Sequence, residues 1–328
     1  MTTIYYESDA DPAAIAGASV AVVGYGNQGR SWGLNLRDSG LDVSICVRAD
    51  ETRERAEADG FATRDVASAS DADVICVLVP DDVIPGLGLA PRRDALLTVA
   101  SGYTLAFDRI NPDCDVAMVA PRMLGPEVRR CYEEGVGFIS LVSVHRDVSG
   151  NAKARALAVD RAIGGVRQGA IEVTPMQEAL VDMASEQILA PALGRVYRSF
   201  VQALLERGVP LEVVMAEMLL SGEMERSMRL VRLEGNAVQL DHHSPTSQYG
   251  QLSRADRFEA YDPTETMREI LDHIESGAFA DEWDAERDAG YPTLQSLKAG
   301  AAGPDMKEFE ADLRSRLGEL VPRETATR

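Results

Sequence analysis

Hydrophobic and polar positions follow different patterns in the two halves of the chain. In the first half, short runs of apolar, mostly β-branched residues alternate with segments of helical periodicity. The apolar runs cover residues 20–23, 41–47, 71–80, 96–100, 116–120 and 137–144, and a helical pattern follows at 151–164. Fully buried strands separated by helices are typical of parallel sheets with both faces covered. This half therefore predicts a doubly wound α/β fold.

In the second half, strand patterns almost vanish and long helical patterns replace them. These patterns cover residues 176–205, 211–233, 263–275 and 280–289. They predict an all-α second domain of about 150 residues, which is an ordinary domain size. We expect an α/β domain at residues 1–174, a helical domain at 175–328 and a disordered tail after Leu320.

The first apolar run leads directly into the glycine pattern Gly24-Tyr-Gly26-Asn-Gln-Gly29. In a nucleotide-binding turn, the first glycine permits the tight turn, the second lets the backbone approach a pyrophosphate, and the third lets the helix pack on the strand. The N-terminus of the following helix offers N–H groups to the phosphates. The pair Asp50-Glu51 lies where a ribose contact is expected. The sequence predicts a dinucleotide site, and a glycine-rich turn of another α/β protein is the alternative.

Composition and charge argue against a nucleic-acid-binding, a membrane-spanning and a secreted protein. The 328 residues are 45% hydrophobic and carry a formal charge of −20, which argues against binding to nucleic acid. No run approaches the roughly 20 apolar residues of a membrane span, and the N-terminus lacks the pattern of a signal peptide. The four cysteines lack metal-type spacing and are typical of reduced core residues. We expect a cytoplasmic protein that binds neither nucleic acid nor membranes.

Three acidic residues recur at helical spacing at the start of the helical half. Glu178, Asp182 and Glu186 would lie on one face of a helix, where like charges repel one another. Either solvent screens these charges or a cation binds them, and Mg²⁺ prefers such oxygen ligands. From the residues alone, a solvated acidic face and a metal site both remain open.

Longer motifs resemble the short form of the ketol-acid reductoisomerase family nearly from end to end. The motifs are Tyr25-Gly-Asn-Gln-Gly29, Leu78-Val-Pro-Asp-Asp82, Met118-Val-Ala-Pro121, Asp147-Val-Ser-Gly-Asn-Ala-Lys153, Val181-Asp-Met-Ala-Ser-Glu-Gln187, Ser244-Pro-Thr-Ser-Gln-Tyr-Gly250 and Ile274-Glu-Ser-Gly-Ala-Phe-Ala-Asp-Glu-Trp283. The resemblance implies a Rossmann domain that binds NAD(P)H and an interlocked, knotted-type helical domain with two Mg²⁺ ions at its entrance. It also implies a homodimer or higher homo-oligomer.

The activity that the resemblance implies belongs to valine and isoleucine biosynthesis. An alkyl group moves within a 2-hydroxy-3-oxo acid of the 2-acetolactate type, and the resulting ketone is reduced to a 2,3-dihydroxy acid. With the glycine pattern, the resemblance implies cofactor contacts from Gly24, Tyr25, Gly26, Asn27, Gln28, Gly29, Arg48, Asp50, Thr52, Asp81, Asp82 and Gly125. It implies metal ligands at Asp182, Glu186 and Glu217, and catalytic roles for Ser101, Arg122 and Ser244.

Three positions depart from the family pattern. Ser101 stands where the family has histidine, Arg122 where it has lysine, and Ser221 where it has a second glutamate. Serine can form hydrogen bonds but cannot be protonated at neutral pH, and arginine presents a planar fork instead of a point charge. Two alternatives therefore stay open: a reductase of 2-oxo or 3-oxo acids without the alkyl shift, and a non-catalytic homologue.

The acidic pair after the second apolar run bears on the choice of cofactor. A carboxylate at Asp50 or Glu51 would bind a free ribose 2′-hydroxyl and repel a 2′-phosphate. The residues therefore favour NADH, whereas the family more commonly uses NADPH.

Overall fold

The computed structural model describes residues 2–301 and 304–317, which form parts of two compact units, residues 1–183 and 184–328. The boundary predicted at 174/175 falls at the start of a helix, Pro175–Ala184, whose residues Glu178, Ala179 and Met183 are buried. That boundary stays a prediction. The tail after Leu320 lies outside the described residues.

The first unit contains a mixed sheet. Its strands, within the described residues, are β1 Ile4–Tyr5, β2 Ser19–Val23, β3 Asp42–Cys46, β4 Ala62–Arg64, β5 Val74–Val77, β6 Leu96–Val99, β7 Asp115–Pro121, β8 Ser140–Arg146 and β9 Ala170–Glu172. They lie in the order β1-β9-β8-β7-β6-β5-β2-β3-β4. Neighbours from β4 to β7 pair in parallel, which is the doubly wound arrangement predicted from the apolar runs.

Two strand pairs are antiparallel, in contrast to the parallel sheet that the apolar runs predict. Strand β8 pairs antiparallel to β7, with Ser140 opposite Pro121, and β1 pairs antiparallel to β9. After β7 the chain forms a helix and enters β8 at the same end of the sheet, so β8 runs in the opposite direction. Strands β1, β4 and β9 have at most three residues each, too few for a recognisable apolar run.

Six α-helices begin in the described part of the first unit. They are α1 Asn27–Asp38, α2 Glu51–Ala58, α3 Tyr103–Ala106, α4 Gly125–Glu133, α5 Ala152–Ile163 and α6 Pro175–Ala184. Strand β2 explains why the sheet has two apolar faces: Val20 and Val22 pack in one buried cluster, and Ala21 and Val23 pack in another. Because successive side chains of a strand point to opposite faces, a continuous apolar run requires cover on both sides.

The described part of the second unit is helical and contains no strand. Its α-helices are α7 Ala190–Leu205, α8 Leu211–Met215, α9 Glu223–Glu234, α10 Asn236–Leu240, α11 Pro245–Leu252, α12 Thr264–Glu275, α13 Ala278–Asp288, α14 Pro292–Ala301 and α15 Pro304–Leu317. Two π-helical segments, Ser185–Leu189 and Ala216–Leu220, lie before α7 and after α8. The helix predicted at 211–233 is broken at Gly222, where φ is 73°. None of the described helices is long and apolar enough to cross a membrane.

Candidate active site

The glycine loop between β2 and α1 is tight where it packs and open where a ligand would approach. Gly24 has a φ of 93°, and a Cβ at Gly29 would lie 2.2 Å from the carbonyl oxygen of Gly24. By contrast, no atom lies within 4 Å of the position of a Cβ at Gly26, the residue that caps the N-terminus of α1. The loop therefore leaves space directly at the helix N-terminus, where a pyrophosphate would accept N–H bonds.

A cavity of about 350 Å³ adjoins this loop. Six of the predicted cofactor residues line it: Gly24, Tyr25, Gly26, Arg48, Asp50 and Thr52. The predicted residues Asn27, Gln28 and Gly29 form the first turn of α1 beside it. Gln28 Oε1 is buried and has no partner among the described residues. An unpaired buried acceptor and an open helix terminus both fit a bound dinucleotide.

The glycine loop is also tied to the segment that follows β7. Gln28 Nε2 donates to the carbonyl oxygen of Met123 at 3.0 Å. Gly125, the first residue of α4, packs so closely that a Cβ there would lie 2.3 Å from the carbonyl carbon of Asn27. These contacts hold the cofactor loop next to the segment that carries Arg122.

Asp50 holds a negative charge at the rim of the cavity. Its side chain caps the N-terminus of α2 by accepting from the Thr52 N–H at 2.9 Å, and this hydrogen bond lowers the pKa of Asp50. Arg48 Nε lies 3.6 Å from Asp50 Oδ2, with the arginine side chain 89% exposed. The N-terminus of α2 would otherwise suit a phosphate, but it already carries the Asp50 carboxylate.

Arg122 forms the centre of an ionic cluster in which Glu178 is buried and Arg122 and Asp182 are partly exposed. Its Nη1 donates to Glu178 Oε1 at 2.8 Å and its Nη2 donates to Asp182 Oδ1 at 2.7 Å. Glu178 is 1% exposed, and its other oxygen accepts from the Gly102 N–H at 2.5 Å. Burial raises the pKa of Glu178, although Gly102 and Arg122 oppose this change. Removing one partner of such a buried pair typically costs about 3–5 kcal/mol.

Ser101 and Asp81 lie beside this cluster. Ser101 Oγ donates to Asp81 Oδ2 at 3.4 Å and accepts from the Tyr103 N–H at 3.1 Å. Burial is the main cause that raises the pKa of Asp81 to about 6, and the negative charges of Glu178 and Asp182 add to it. Asp81 was predicted as a cofactor residue with Asp82, and the structure places it against the predicted catalytic serine.

Sequence reasoning did not identify the role of Glu178. It grouped this residue with Asp182 and Glu186 as one acidic helix face. In the structure, Glu178 is the buried partner of Arg122. Because an arginine 56 positions earlier in the chain supplies the charge, the spacing on the helix did not reveal the contact.

Two of the three predicted metal ligands lie in π-helical segments. Asp182 lies in α6, whereas Glu186 and Glu217 are each the second residue of a π-helical segment. Such widened turns are frequent at functional sites. Carboxylate oxygens suit Mg²⁺, which usually keeps several water ligands. No three acidic, histidine or cysteine side chains in the described chain lie close enough together to hold a metal. The metal role of Asp182, Glu186 and Glu217 therefore stays a prediction.

Ser244, the predicted catalytic serine of the helical domain, caps α11. Its hydroxyl accepts from the Ser247 N–H at 3.3 Å. A capping role accounts for a serine at this position. Its contact with substrate stays a prediction.

Family models match both parts of the chain. Residues 14–169 match the acetohydroxy acid isomeroreductase NADPH-binding domain, and residues 176–319 match the ketol-acid reductoisomerase C-terminal domain. A ketol-acid reductoisomerase (NADP(+)) of Caldivirga maquilingensis is 37% identical over 323 residues, which cover 96% of this chain and 98% of that protein. A ketol-acid reductoisomerase (NADP(+)) of Saccharopolyspora erythraea is 37% identical over 328 residues, 96% of this chain and 97% of that protein.

A solved structure agrees with these matches. It is described as an NADH-preferring ketol-acid reductoisomerase from an uncultured archean, and it superposes with a TM-score of 0.89 at 31% identity. The similarity covers 97% of this chain and 100% of the other. The family resemblance, the fold class and the enzyme class predicted from the sequence are thereby confirmed. The chain belongs to the ketol-acid reductoisomerase family, oxidoreductases of branched-chain amino-acid biosynthesis that use NADPH or NADH together with Mg²⁺.

Proposed function

We propose that this chain carries out both steps of the family reaction. An alkyl group migrates within a 2-hydroxy-3-oxo acid of the 2-acetolactate type, and the resulting 2-oxo group is reduced to give a 2,3-dihydroxy acid. The observation that supports this proposal is the close packing of the glycine loop against the segment of Arg122, which brings a cofactor site next to a fixed cation.

The roles of the residues follow from their contacts. When bound, the nicotinamide supplies hydride and Mg²⁺ polarises the substrate oxygens. Asp182 and Glu186 would hold the metal, with Glu217 as a third ligand. Arg122, held in place by Glu178 and Asp182, would orient the oxygens of the substrate. Ser101, hydrogen-bonded to Asp81, would orient a substrate hydroxyl or carbonyl group.

A second candidate is a reductase that lacks the alkyl shift. The presence of Ser101 in place of a protonatable residue favours it. Purified protein with Mg²⁺ and either nicotinamide should be given 2-acetolactate and, separately, the rearranged 3-hydroxy-2-oxo acid. The two-step proposal expects turnover of both. Turnover of the rearranged acid alone would support the second candidate, and no oxidation of either cofactor would contradict both.

We further propose that NADH is the preferred cofactor. The Asp50 carboxylate occupies the N-terminus of α2 at the rim of the cavity, where a 2′-phosphate would meet its charge. The structurally similar enzyme is described as NADH-preferring, whereas the two relatives that are 37% identical are described as NADP(+) enzymes. We expect a lower KM for NADH than for NADPH, and Asp50→Ser should shift the ratio of kcat/KM towards NADPH. Glu54→Gln, which removes a charge one turn further along α2, is the matched control and should leave this ratio unchanged. A wild-type preference for NADPH would refute the proposal.

We propose a homodimer or higher homo-oligomer built on the helical domain. Within residues 184–300 and 307–317, the buried side chains are Val214, Gln239, Ile274, Ala280 and Leu313. Helix α7 has none, although Leu193, Val196 and Phe200 recur on one face and are 46%, 63% and 43% exposed. A helix of 16 residues with an uncovered apolar face requires a partner. A second copy of the chain fits, because no three metal ligands lie together within residues 2–301 and 304–317 of one chain.

Sedimentation velocity tests this assembly. Wild type should sediment as a dimer or larger species. Phe200→Glu should weaken association by about 2–3 kcal/mol for each Phe200 side chain that is buried in the interface of the wild type. Gln202→Glu, which places the same charge on the opposite side of α7, should leave the assembly intact. A monomeric wild type would contradict the proposal.

The compartment is also a proposal. Among the described residues, Cys46, Cys76, Cys114 and Cys131 are free and buried, which supports a reducing environment such as the cytoplasm. Fractionation of cells that produce a tagged chain would test this, and recovery from a secreted fraction would contradict it.

A further inference from the structure

We propose that Arg55 is a positioning residue of the cofactor site. Its side chain holds the peptide between Tyr25 and Gly26 in the orientation that turns the Gly26 N–H towards the pyrophosphate of the cofactor. This inference rests on the predicted dinucleotide site at the N-terminus of α1. It adds a residue of α2 that the glycine pattern does not indicate.

Arg55 reaches from α2 to the backbone of the glycine loop. Its Nη2 donates to the carbonyl oxygen of Tyr25 at 2.6 Å, and its guanidinium carbon lies 5.9 Å from the centroid of the Tyr25 ring. Within residues 2–301 and 304–317, Arg55 forms no ion pair with a carboxylate. Its charge is therefore not neutralised by an acidic side chain and adds a positive potential beside the loop, which favours a bound anion.

The contact orients the loop because the two polar groups of a peptide point in opposite directions. No described peptide bond is cis, so the Tyr25 C=O and the Gly26 N–H are antiparallel. While Arg55 holds the carbonyl oxygen on the side of α2, the Gly26 N–H points to the other side. None of the hydrogen bonds between described residues uses the N–H groups of Gly26, Asn27 or Gln28. Successive unpaired N–H groups at a helix N-terminus suit an anion such as pyrophosphate.

Gly26 makes this restraint necessary. Glycine adopts positive and negative φ almost equally well, so the peptide that precedes Gly26 can turn over at little cost. A turned peptide would present the Tyr25 carbonyl oxygen to the ligand, and the partial negative charge of this oxygen repels a pyrophosphate. The hydrogen bond from Arg55 opposes the turn, because the carbonyl oxygen would lose its donor.

The ring of Tyr25 is held by other contacts, so the role of Arg55 can be tested separately. Tyr25 is 1% exposed, and its hydroxyl donates to Asp59 Oδ2 at 2.8 Å. Arg30 donates to both oxygens of Asp59, at 2.8 and 3.1 Å. None of these contacts involves Arg55. Its replacement should therefore release the peptide and leave the packing of the loop in place.

Binding of cofactor fragments tests the inference without relying on activity. Isothermal titration calorimetry of the full-length protein compares ADP-ribose, which contains the pyrophosphate, with adenosine, which does not. Arg55→Met should weaken the binding of ADP-ribose about tenfold, because the restraint and the positive charge are both lost. The affinity for adenosine should not change. Arg55→Lys, which can still donate to the carbonyl oxygen, should restore most of the affinity for ADP-ribose.

The matched control is Arg93→Met, which removes an equal charge from the same domain. Arg93 pairs with Asp113 at 2.9 Å, and its side chain is 74% exposed. This variant should bind both ligands as wild type does.

Three results would overturn the inference. They are an unchanged affinity of Arg55→Met for ADP-ribose, an equal loss of affinity for both ligands, and no recovery in Arg55→Lys. If wild type binds no ADP-ribose, the predicted dinucleotide site itself is wrong. If Arg55→Met fails to fold, hydrogen–deuterium exchange of wild type decides: ADP-ribose should protect the N–H groups of residues 26–28 and adenosine should not. Equal exchange with the two ligands would overturn the inference.

Discussion

The buried carboxyl group of Asp160 makes stability depend on pH in a predictable way. Asp160 lies on α5 with no exposed surface, and both of its oxygens contact one hydroxyl group, Ser140 Oγ, at 2.7 and 2.8 Å. The single hydroxyl proton satisfies one of these contacts. A protonated carboxyl satisfies both, because its own O–H donates to Ser140. Burial raises the pKa of Asp160 to about 7, although the hydrogen bond from Ser140 opposes the change.

We expect Asp160→Asn to stabilise the protein above neutral pH. Each pKa unit corresponds to about 1.4 kcal/mol, so a rise from 3.8 to about 7 costs the folded state up to about 4 kcal/mol once the group ionises. Below pH 3.8 the carboxyl group is protonated in the folded and in the unfolded state, so it does not lower the free energy of unfolding. Between these values, stability falls as pH rises. Asparagine has the same shape, can still hydrogen-bond to Ser140 and remains neutral throughout.

Urea denaturation at several pH values between 4 and 8 checks this prediction. The free energy of unfolding of Asp160→Asn should exceed that of wild type by an amount that grows with pH. Asp94→Asn, at a side chain that is 78% exposed, is the control and should show no such trend. Parallel pH profiles for Asp160→Asn and wild type, or a less stable variant at pH 8, would refute the reasoning.

Two further substitutions test the packing of the α/β domain. Gly29→Ala should abolish binding of the nicotinamide cofactor, because the Cβ would lie 2.2 Å from the carbonyl oxygen of Gly24. Binding is measured by the fluorescence of the reduced cofactor. The control is Gly86→Ala, where no atom lies within 4 Å of the Cβ position, and this variant should bind the cofactor normally. Asp115→Asn should cost about 3 kcal/mol in urea denaturation at pH 7, because Asp115 is fully buried and pairs with Arg155 at 3.2 Å. Burial would raise the pKa of Asp115, but hydrogen bonds from side-chain and backbone donors keep it below its usual value. The difference in the free energy of unfolding between wild type and Asp115→Asn should therefore shrink as pH falls. The same difference at every pH would contradict the pairing of an ionised Asp115 with Arg155.

Much of the α/β domain was predictable because its elements have strong local patterns. The apolar runs at 20–23, 96–100 and 116–120 correspond to β2, β6 and β7 within one or two residues. A parallel strand buried on both faces is apolar at every position, and this pattern is visible without its neighbours. The reversal of β8 was not predictable, because strand direction depends on where the preceding helix ends, and an apolar run looks the same in both directions.

The sequence predicted the longer helices of the helical domain up to α13, but it did not predict α14, α15 or the interruptions between helices. The pattern at 176–205 corresponds to α6, a π-helical segment and α7 without a break in the helical chain. Periodicity does not distinguish a single widened turn at Ser185–Leu189 from regular helix, because one extra residue shifts the pattern only slightly. Helices α10 and α11, with five and eight residues, were missed because they are too short for a periodic signal.

The sequence by itself determined the cofactor loop, since Gly24, Gly26 and Gly29 act through local backbone geometry that their spacing already specifies. It also indicated Asp182 and Glu186 as a carboxylate pair through helical spacing. The tertiary structure alone decided that Arg122 joins Glu178 to Asp182, residues 56 and 60 positions away, and that Asp160 is enclosed with Ser140. The physical reason is that the charge state and partner of a side chain depend on desolvation and on contacts between distant segments, which exist only once the chain has folded.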